Sequence, residues 1–168
     1  LGWSDSQRGQ FDAAAKSFRA FLEKFPAHEL APECRLKMAE ALTKAGKHDD
    51  AFAAYTQAGS AGGKFAPDAA MGAAWCLYEQ GKFPAAADAF IKAAALLGKD
   101  PRAATCTFNA GNAFVESKDF QKATAQFEKT AADFPGHELA PAAVYWRGYC
   151  LVRLGKFDEA VAVLDPLR

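Results

Sequence analysis

The 168-residue chain carries 20 basic and 20 acidic side chains, so it has no net charge and lacks the basic surface typical of nucleic-acid-binding proteins. Although 51% of its residues are apolar, no apolar run reaches the roughly 20 residues of a membrane-spanning helix. The length corresponds to one domain or to one continuous array of repeats.

One short pattern recurs along the chain at a nearly fixed period. In five similar segments, a ring-bearing residue stands three positions before an alanine, namely at Phe11, His48, Phe83, Phe120 and Phe157. The spacings between them are 37, 35, 37 and 37 residues. The segment 25–32 also returns, nearly unchanged, as the segment 134–141. A fixed period of this length is typical of stacked repeats, most of which form binding surfaces.

Each repeat is predicted to contain two helices, because rings and alanines follow the spacing of one helical face. In chain order, the predicted helices lie near residues 10–25, 31–45, 48–60, 66–80, 83–97, 101–117, 119–134, 139–154 and 157–164. Four of these helices begin at or near a proline, which suits the first helical position. We call them the first helices of their pairs, and they lie near 31–45, 66–80, 101–117 and 139–154. The others are the second helices.

Glycine marks the turn inside most repeats. Gly46, Gly81 and Gly155 end three of the first helices, where a left-handed residue caps the helix at little cost to glycine. The corresponding segment that begins at Lys118 fits the same frame but has no glycine. The glycine-rich segment 59–63 coincides with the one short period and is expected to be a loose connection between repeats.

The pattern resembles the tetratricopeptide repeat, whose motif places glycine, an aromatic residue and alanine at fixed offsets before a large residue and a proline. The residues that carry the resemblance are Gly155, Phe157, Ala160 and Leu164, together with Phe120, Ala123, Phe127 and Pro135. Gly111 and Gly148 stand where that family has its helix-packing glycine, and Ala39 and Ala74 replace it elsewhere. The resemblance implies an all-α fold in which antiparallel helix pairs stack as a right-handed solenoid.

Within that family, the spacer at 25–32 and the 37-residue period are most similar to bacterial envelope proteins of the Tol-Pal coordinator and Bam-complex lipoprotein types. The repeat frame predicts a single array. It has a truncated repeat at 1–26, full repeats at 27–63, 64–98 and 99–135, and a truncated repeat at 136–168. Because Leu1 falls in the middle of a first helix and Pro166 interrupts the last second helix before Arg168, we expect a fragment of a longer array.

The sequence gives little support for a metal site or for a catalytic site. The segments that begin His28-Glu29 and His137-Glu138 start like a zinc-protease motif, but proline replaces the second histidine, so a structural spacer is favoured over a metal site. We find no nucleophile motif and no glycine-rich phosphate loop ending in Gly-Lys-Ser/Thr. The sequence therefore predicts a protein without enzymatic activity, cofactor or metal.

The four cysteines show no CxxC spacing, and their places in the repeat frame argue against disulfides. They are Cys34, Cys76, Cys106 and Cys150. We predict that all four are reduced, buried and unmetallated. Reduced cysteines favour a cytoplasmic location, whereas the family resemblance favours the periplasm, so the compartment stays open.

The resemblance also implies a binding face, because ligand contacts in the family fall on one stripe of the first helices. The residues predicted to bind a partner are Leu36, Glu40, Met71, Trp75, Tyr78, Phe108, Asn112, Tyr145 and Tyr149. The whole stripe has a net charge of −3, from Glu33, Glu40, Asp68, Glu79 and Glu116 against Lys44 and Arg153. This character predicts an apolar or aromatic partner segment, which can also carry basic side chains.

Two function hypotheses follow. The first is a protein–protein interaction scaffold that binds a peptide or helix of its partner in a concave groove. The second is an architectural or self-associating solenoid segment of a larger protein, for which the resemblance implies the bacterial cell envelope. A purely structural alternative also stays open for these residues, in which the rings of the stripe pack between neighbouring first helices.

Overall fold

The structure is a computed structural model that describes residues 2–7, 9–60 and 62–165, without the side chain of Gln7. Within these residues the chain forms ten α-helices and no strand, which confirms the predicted all-α class. The helices belong to two compact units, residues 1–81 and 82–168. The predictions that concern Leu1, Pro166 and Arg168 lie outside the described residues.

Unit 1 contains five helices and one short 3-10 turn. They are α1 (Gly2–Gln7), α2 (Phe11–Lys24), α3 (Ala31–Lys44), α4 (His48–Ser60), the turn Gly63–Phe65 and α5 (Ala66–Glu79). Each helix packs against the next one along the chain, and α3 also packs against α5. Helices α3 and α5 are first helices of the predicted pairs, and α2 and α4 are second helices.

Unit 2 contains the other five helices. They are α6 (Phe83–Leu97), α7 (Arg102–Glu116), α8 (Phe120–Asp133), α9 (Ala140–Arg153) and α10 (Phe157–Leu164). Here too each helix packs against its neighbours in sequence. All nine predicted helices exist, and their ends lie within one residue of the prediction. The boundary between the units falls inside the predicted repeat 64–98, and the repeat boundaries themselves remain a prediction.

The cores of both units alternate large rings with small residues. In unit 1, Phe18 and Tyr55 are buried among alanines such as Ala14 and Ala51. In unit 2, the rings of Phe90 and Phe127 are fully buried. A ring on one helix needs a small residue opposite it if the two axes are to approach to about 8–10 Å, which explains the recurring ring–alanine spacing.

At several places only glycine leaves room for the opposing side chain. A Cβ atom at Gly111 would lie 2.6 Å from the Phe127 ring, and one at Gly148 would lie 2.6 Å from Leu164. These two contacts confirm the packing role predicted for both glycines. A third position of this kind, Gly72, where a Cβ atom would lie 2.2 Å from the Tyr55 ring, was not predicted from the sequence.

Replacing Gly111 by alanine is expected to lower the free energy of unfolding by about 1–3 kcal/mol, because the new methyl group forces the buried Phe127 ring to move. The loss should appear even though alanine favours a helix over glycine by up to about 1 kcal/mol. Urea unfolding followed by far-UV circular dichroism measures it. Gly59→Ala is the matched control, since Gly59 also lies in a helix and a Cβ there would meet only Ala69, at an ordinary 3.6 Å; equal stability of the two variants would contradict the close contact.

The one turn without glycine between a first and a second helix uses a different stabilising contact. Lys118 adopts the left-handed conformation, with φ 62°, that Gly46, Gly81 and Gly155 adopt in the corresponding turns. In the same turn, the Asp119 carboxylate accepts a hydrogen bond from the backbone N–H of Lys122 at 3.2 Å and binds its ammonium group at 2.9 Å. The hydrogen bond from the Lys122 side chain lowers the pKa of Asp119. This N-cap offsets part of the strain at Lys118.

Candidate interaction surface

The predicted binding residues fall in both units, and in unit 1 they differ strongly in exposure. Leu36 on α3 is only 4% exposed and belongs to the hydrophobic core, so it offers little surface to a partner. Trp75 on α5 is 40% exposed and packs edge to face against Tyr78, with ring centroids 5.5 Å apart. Met71 and Tyr78 are half-buried. The partner-accessible part of this group therefore centres on the Trp75–Tyr78 pair.

Glu40, the remaining predicted residue of unit 1, is not a free carboxylate. It binds the ammonium group of Lys37 at 2.8 Å, one helical turn earlier. Both side chains are more than a third exposed, so this pair adds little to stability. Its consequence is local: Lys37 offsets one of the negative charges of the stripe.

In unit 2 the predicted residues lie on α7 and α9. Phe108 is half-buried and packs edge to face on the fully buried Phe127, with centroids 5.3 Å apart. Asn112 is half-buried on the same helix. Tyr145 on α9 is 57% exposed, while Tyr149, one turn further along, is half-buried. Of these four side chains, Tyr145 presents the largest exposed fraction.

The structure adds three residues around Tyr145 and Tyr149 that were not predicted to bind. Trp146 contacts both tyrosines, with centroid distances of 5.9 Å and 5.3 Å. The Phe120 ring lies 6.4 Å from the Tyr149 ring, and the Arg153 guanidinium lies 4.6 Å from the Phe120 centroid. We call these five residues the α9 cluster.

Each residue that was missed had some signal in the sequence. Phe120 is the recurring ring of its repeat, and Arg153 stands on the predicted stripe as one of its charged residues. Trp146 follows Tyr145 directly, but it lies off the stripe that the family resemblance supplied. Ring pairs such as these contribute about 0.5–1.5 kcal/mol beyond their buried area, so the cluster holds its members in place.

The charge of the stripe is unevenly divided between the units. The acidic residues in unit 1 are Glu33, Glu40, Asp68 and Glu79, against Lys44, so four negative charges and one positive charge give −3. In unit 2, Glu116 and Arg153 cancel. The negative character predicted for the whole stripe therefore belongs to unit 1.

The two histidine spacers have one geometry in both units. The Nδ1 atom of His28 accepts a hydrogen bond from the backbone N–H of Leu30 at 3.1 Å, and His137 accepts one from Leu139 at the same distance. Each bond closes the turn that leads into the next first helix. No group of three metal-binding side chains occurs among the residues that the structure describes. These contacts support the structural interpretation of the spacer.

The four cysteines lie on four different helices, and all are buried. Burial disfavours the charged thiolate, and it raises the pKa of Cys106 and of Cys150 to about 11. The pKa values of Cys34 and Cys76 are raised for the same reason. Because the thiolate is the reactive form, these thiols are poor nucleophiles near neutral pH.

Thiol titration is expected to count four free cysteines when the protein is unfolded in denaturant without reductant. In the folded protein near neutral pH, labelling should be much slower, because the raised pKa values leave little thiolate and the sulfur atoms are inaccessible. A count of two or zero, in protein never exposed to oxidant, would contradict the prediction. Rapid labelling of the folded protein would contradict the burial.

In the described part of the chain, no helix is long and apolar enough to cross a membrane.

Together, the paired helices, the glycine–ring contacts and the rings on the first helices define a protein built from helix-pair repeats. A profile of the tetratricopeptide repeat matches residues 1–63, 36–104 and 108–166. The chain therefore belongs to the tetratricopeptide repeat family. A search of curated protein sequences gave no match.

Solved structures share this fold at low sequence identity. MamA is 22% identical with a TM-score of 0.79, over 98% of this chain and 91% of that one. A kinesin light chain from Podosopora anserina with TPR-like repeats is 15% identical with a TM-score of 0.74, over 100% and 90%. The apo form of RapI is 13% identical with a TM-score of 0.80, over 98% and 50%. At these identities the similarity establishes the fold alone.

Proposed function

We propose that the protein is a non-enzymatic scaffold that binds a segment of a partner protein on its first helices. The observation that carries the proposal is the exposure of large rings there, 40% for Trp75 and 57% for Tyr145. Exposed aromatic side chains with large apolar area are typical anchors of protein–protein interfaces. Membership of the tetratricopeptide repeat family supports the same class of function.

The buried titratable groups support a role without catalysis. Burial raises the pKa of Tyr55 to about 12, and the four thiols are shifted in the same direction. Shifts in this direction keep each group protonated near neutral pH, whereas a catalytic nucleophile or base needs a pKa near the working pH.

The partner segment that fits best is apolar or aromatic. A segment that binds unit 1 should also carry basic side chains, because the stripe there is acidic. Complementary charges would mainly speed association and fix the orientation of the segment, and the rings would supply most of the affinity. In unit 2 the stripe carries no net charge, so aromatic contacts dominate.

A second candidate, self-association, is favoured by a different observation. Helix α10 exposes Phe157 at 63% and Val161 at 64%, and exposed apolar residues of this kind occur at contacts between protein copies. An architectural role in a bacterial envelope, suggested by the spacer at 25–32, belongs with this candidate.

Two measurements separate the candidates. Size exclusion with light scattering should give the monomer mass at all concentrations for the scaffold, and a mass that rises with concentration for the self-associating segment. A library of displayed random peptides should yield binders rich in aromatic residues, and Tyr145→Ala should weaken them. If selected peptides bind the Tyr145→Ala and Trp75→Ala variants as well as they bind the parent, the proposed surface is wrong.

A further inference from the structure

Arg153, at the end of α9, is held in a fixed position by aromatic neighbours. Its guanidinium carbon lies 4.6 Å from the Phe120 ring centroid and 5.8 Å from that of Tyr149. Its Nη1 atom donates a hydrogen bond of 2.8 Å to the Tyr149 hydroxyl. These contacts restrict a side chain that is otherwise long and flexible, although Arg153 remains exposed to solvent.

Arg153 makes no ion pair with a carboxylate in the described part of unit 2, although Glu116 balances it in the net charge of the stripe. The other two arginines there are paired, Arg102 with Asp100 at 2.8 Å and Arg147 with Glu128 at 3.0 Å. Within the described residues, Arg153 contacts the Phe120 and Tyr149 rings and the Tyr149 hydroxyl. A guanidinium has five N–H donors, and the bond to Tyr149 uses one of them.

We propose that Arg153 binds the side-chain carboxylate of an aspartate or glutamate in a partner segment, and that an aromatic residue of the same segment packs on Tyr145. This inference rests on the proposed function and specifies its partner. A guanidinium offers a planar fork that binds a carboxylate through two parallel hydrogen bonds. Because the neighbouring rings already hold Arg153, little further conformational entropy is lost on binding.

The geometry of α9 sets the spacing in the partner. Arg153 follows Tyr145 by eight residues, so the two Cα atoms are separated by about 12 Å along the helix. An extended partner would span this distance with about four residues, and a helical partner would need about eight. The proposed ligand is a side-chain carboxylate; a C-terminal carboxylate at the same place is a different ligand, which peptides with amidated C-termini exclude.

A parallel selection tests the inference. Displayed random peptides with amidated or extended C-termini are panned against the 168-residue protein and against Arg153→Met, which keeps the apolar packing on Phe120 but removes the charge. We expect peptides selected on the parent to carry an acidic residue at the stated spacing from an aromatic one. Peptides selected on Arg153→Met should keep the aromatic residue and lose the acidic preference.

Synthetic peptides then give the size of the effect on affinity. Changing the selected glutamate to glutamine should weaken binding to the parent about tenfold and should leave binding to Arg153→Met nearly unchanged. Arg153→Lys should restore binding only in part, because an ammonium group lacks the planar fork. Arg147→Met, on the same helix and outside the α9 cluster, is the control and should bind like the parent.

The outcomes distinguish this inference from the proposed function. Peptides that bind through Tyr145 but show no acidic position, or that respond equally to glutamate and glutamine, would overturn the role of Arg153 and leave the scaffold intact. A requirement for a free C-terminal carboxylate would overturn the side-chain carboxylate as the ligand. Peptides that depend on Trp75 but not on Tyr145 would also overturn the role of Arg153, and if the selected peptides depend on neither ring, the proposed function itself fails.

Discussion

Replacing Phe127 by alanine is expected to lower the free energy of unfolding by about 3–5 kcal/mol. The ring is 0% exposed and lies between two helices of unit 2. It packs on Gly111 of α7, on the Phe108 ring at 5.3 Å and on the Trp146 ring at 6.3 Å. Because glycine has no side chain to move into the space, the cavity left by the substitution cannot be filled from that side.

Phe157→Ala is the matched control, since it removes the same atoms from an exposed ring on α10. With 63% of its surface already in water, Phe157 should contribute far less, and its variant should unfold within about 0.5–1 kcal/mol of the parent. Urea titration followed by far-UV circular dichroism compares the three proteins. Equal losses for the two variants would show that Phe127 is not the central packing residue of unit 2.

The second large effect is expected on binding. Trp75→Ala combined with Tyr145→Ala removes one exposed ring from each unit and should weaken a selected peptide or partner at least tenfold. Each ring can bury 150 Å² or more, and a central aromatic anchor often accounts for about 2 kcal/mol or more of binding energy. Isothermal titration calorimetry measures the affinity, and circular dichroism verifies that the helices persist.

Lys92→Ala combined with Lys129→Ala is the control for this pair, because both lysines lie on second helices and away from the stripe. It should leave the affinity within about twofold of the parent. The single variants Trp75→Ala and Tyr145→Ala assign the effect to unit 1 or unit 2. Unfolding of the double variant would instead identify the rings as core residues, and unchanged affinity would exclude both as anchors.

The sequence by itself determined the class of fold and the positions of the helices. The bounds of α4, α6 and α10 are those predicted from the repeat, and the other predicted helices agree within one residue. This accuracy has a local cause. Helix ends depend on prolines, glycines and the spacing of apolar residues a few positions apart. In a repeat protein these signals occur once in each repeat.

Sequence also determined which residues share a helical face, but it could not determine how much of each remains exposed. Leu36 and Trp75 belong to the same predicted stripe, yet Leu36 is a core residue and Trp75 is 40% exposed. The difference depends on which neighbouring helix covers each position. It is therefore a property of packing between helices and not of periodicity along one of them.

Only the tertiary structure brought together the residues on which the most specific inference depends. Phe120 and Arg153 are 33 positions apart in the chain, yet the guanidinium lies 4.6 Å from the ring. The same is true of Gly72 and Tyr55, whose close approach follows from the packing of α5 on α4. Such contacts depend on the distance and rotation between two helices, which the volumes of all the interdigitating side chains set jointly.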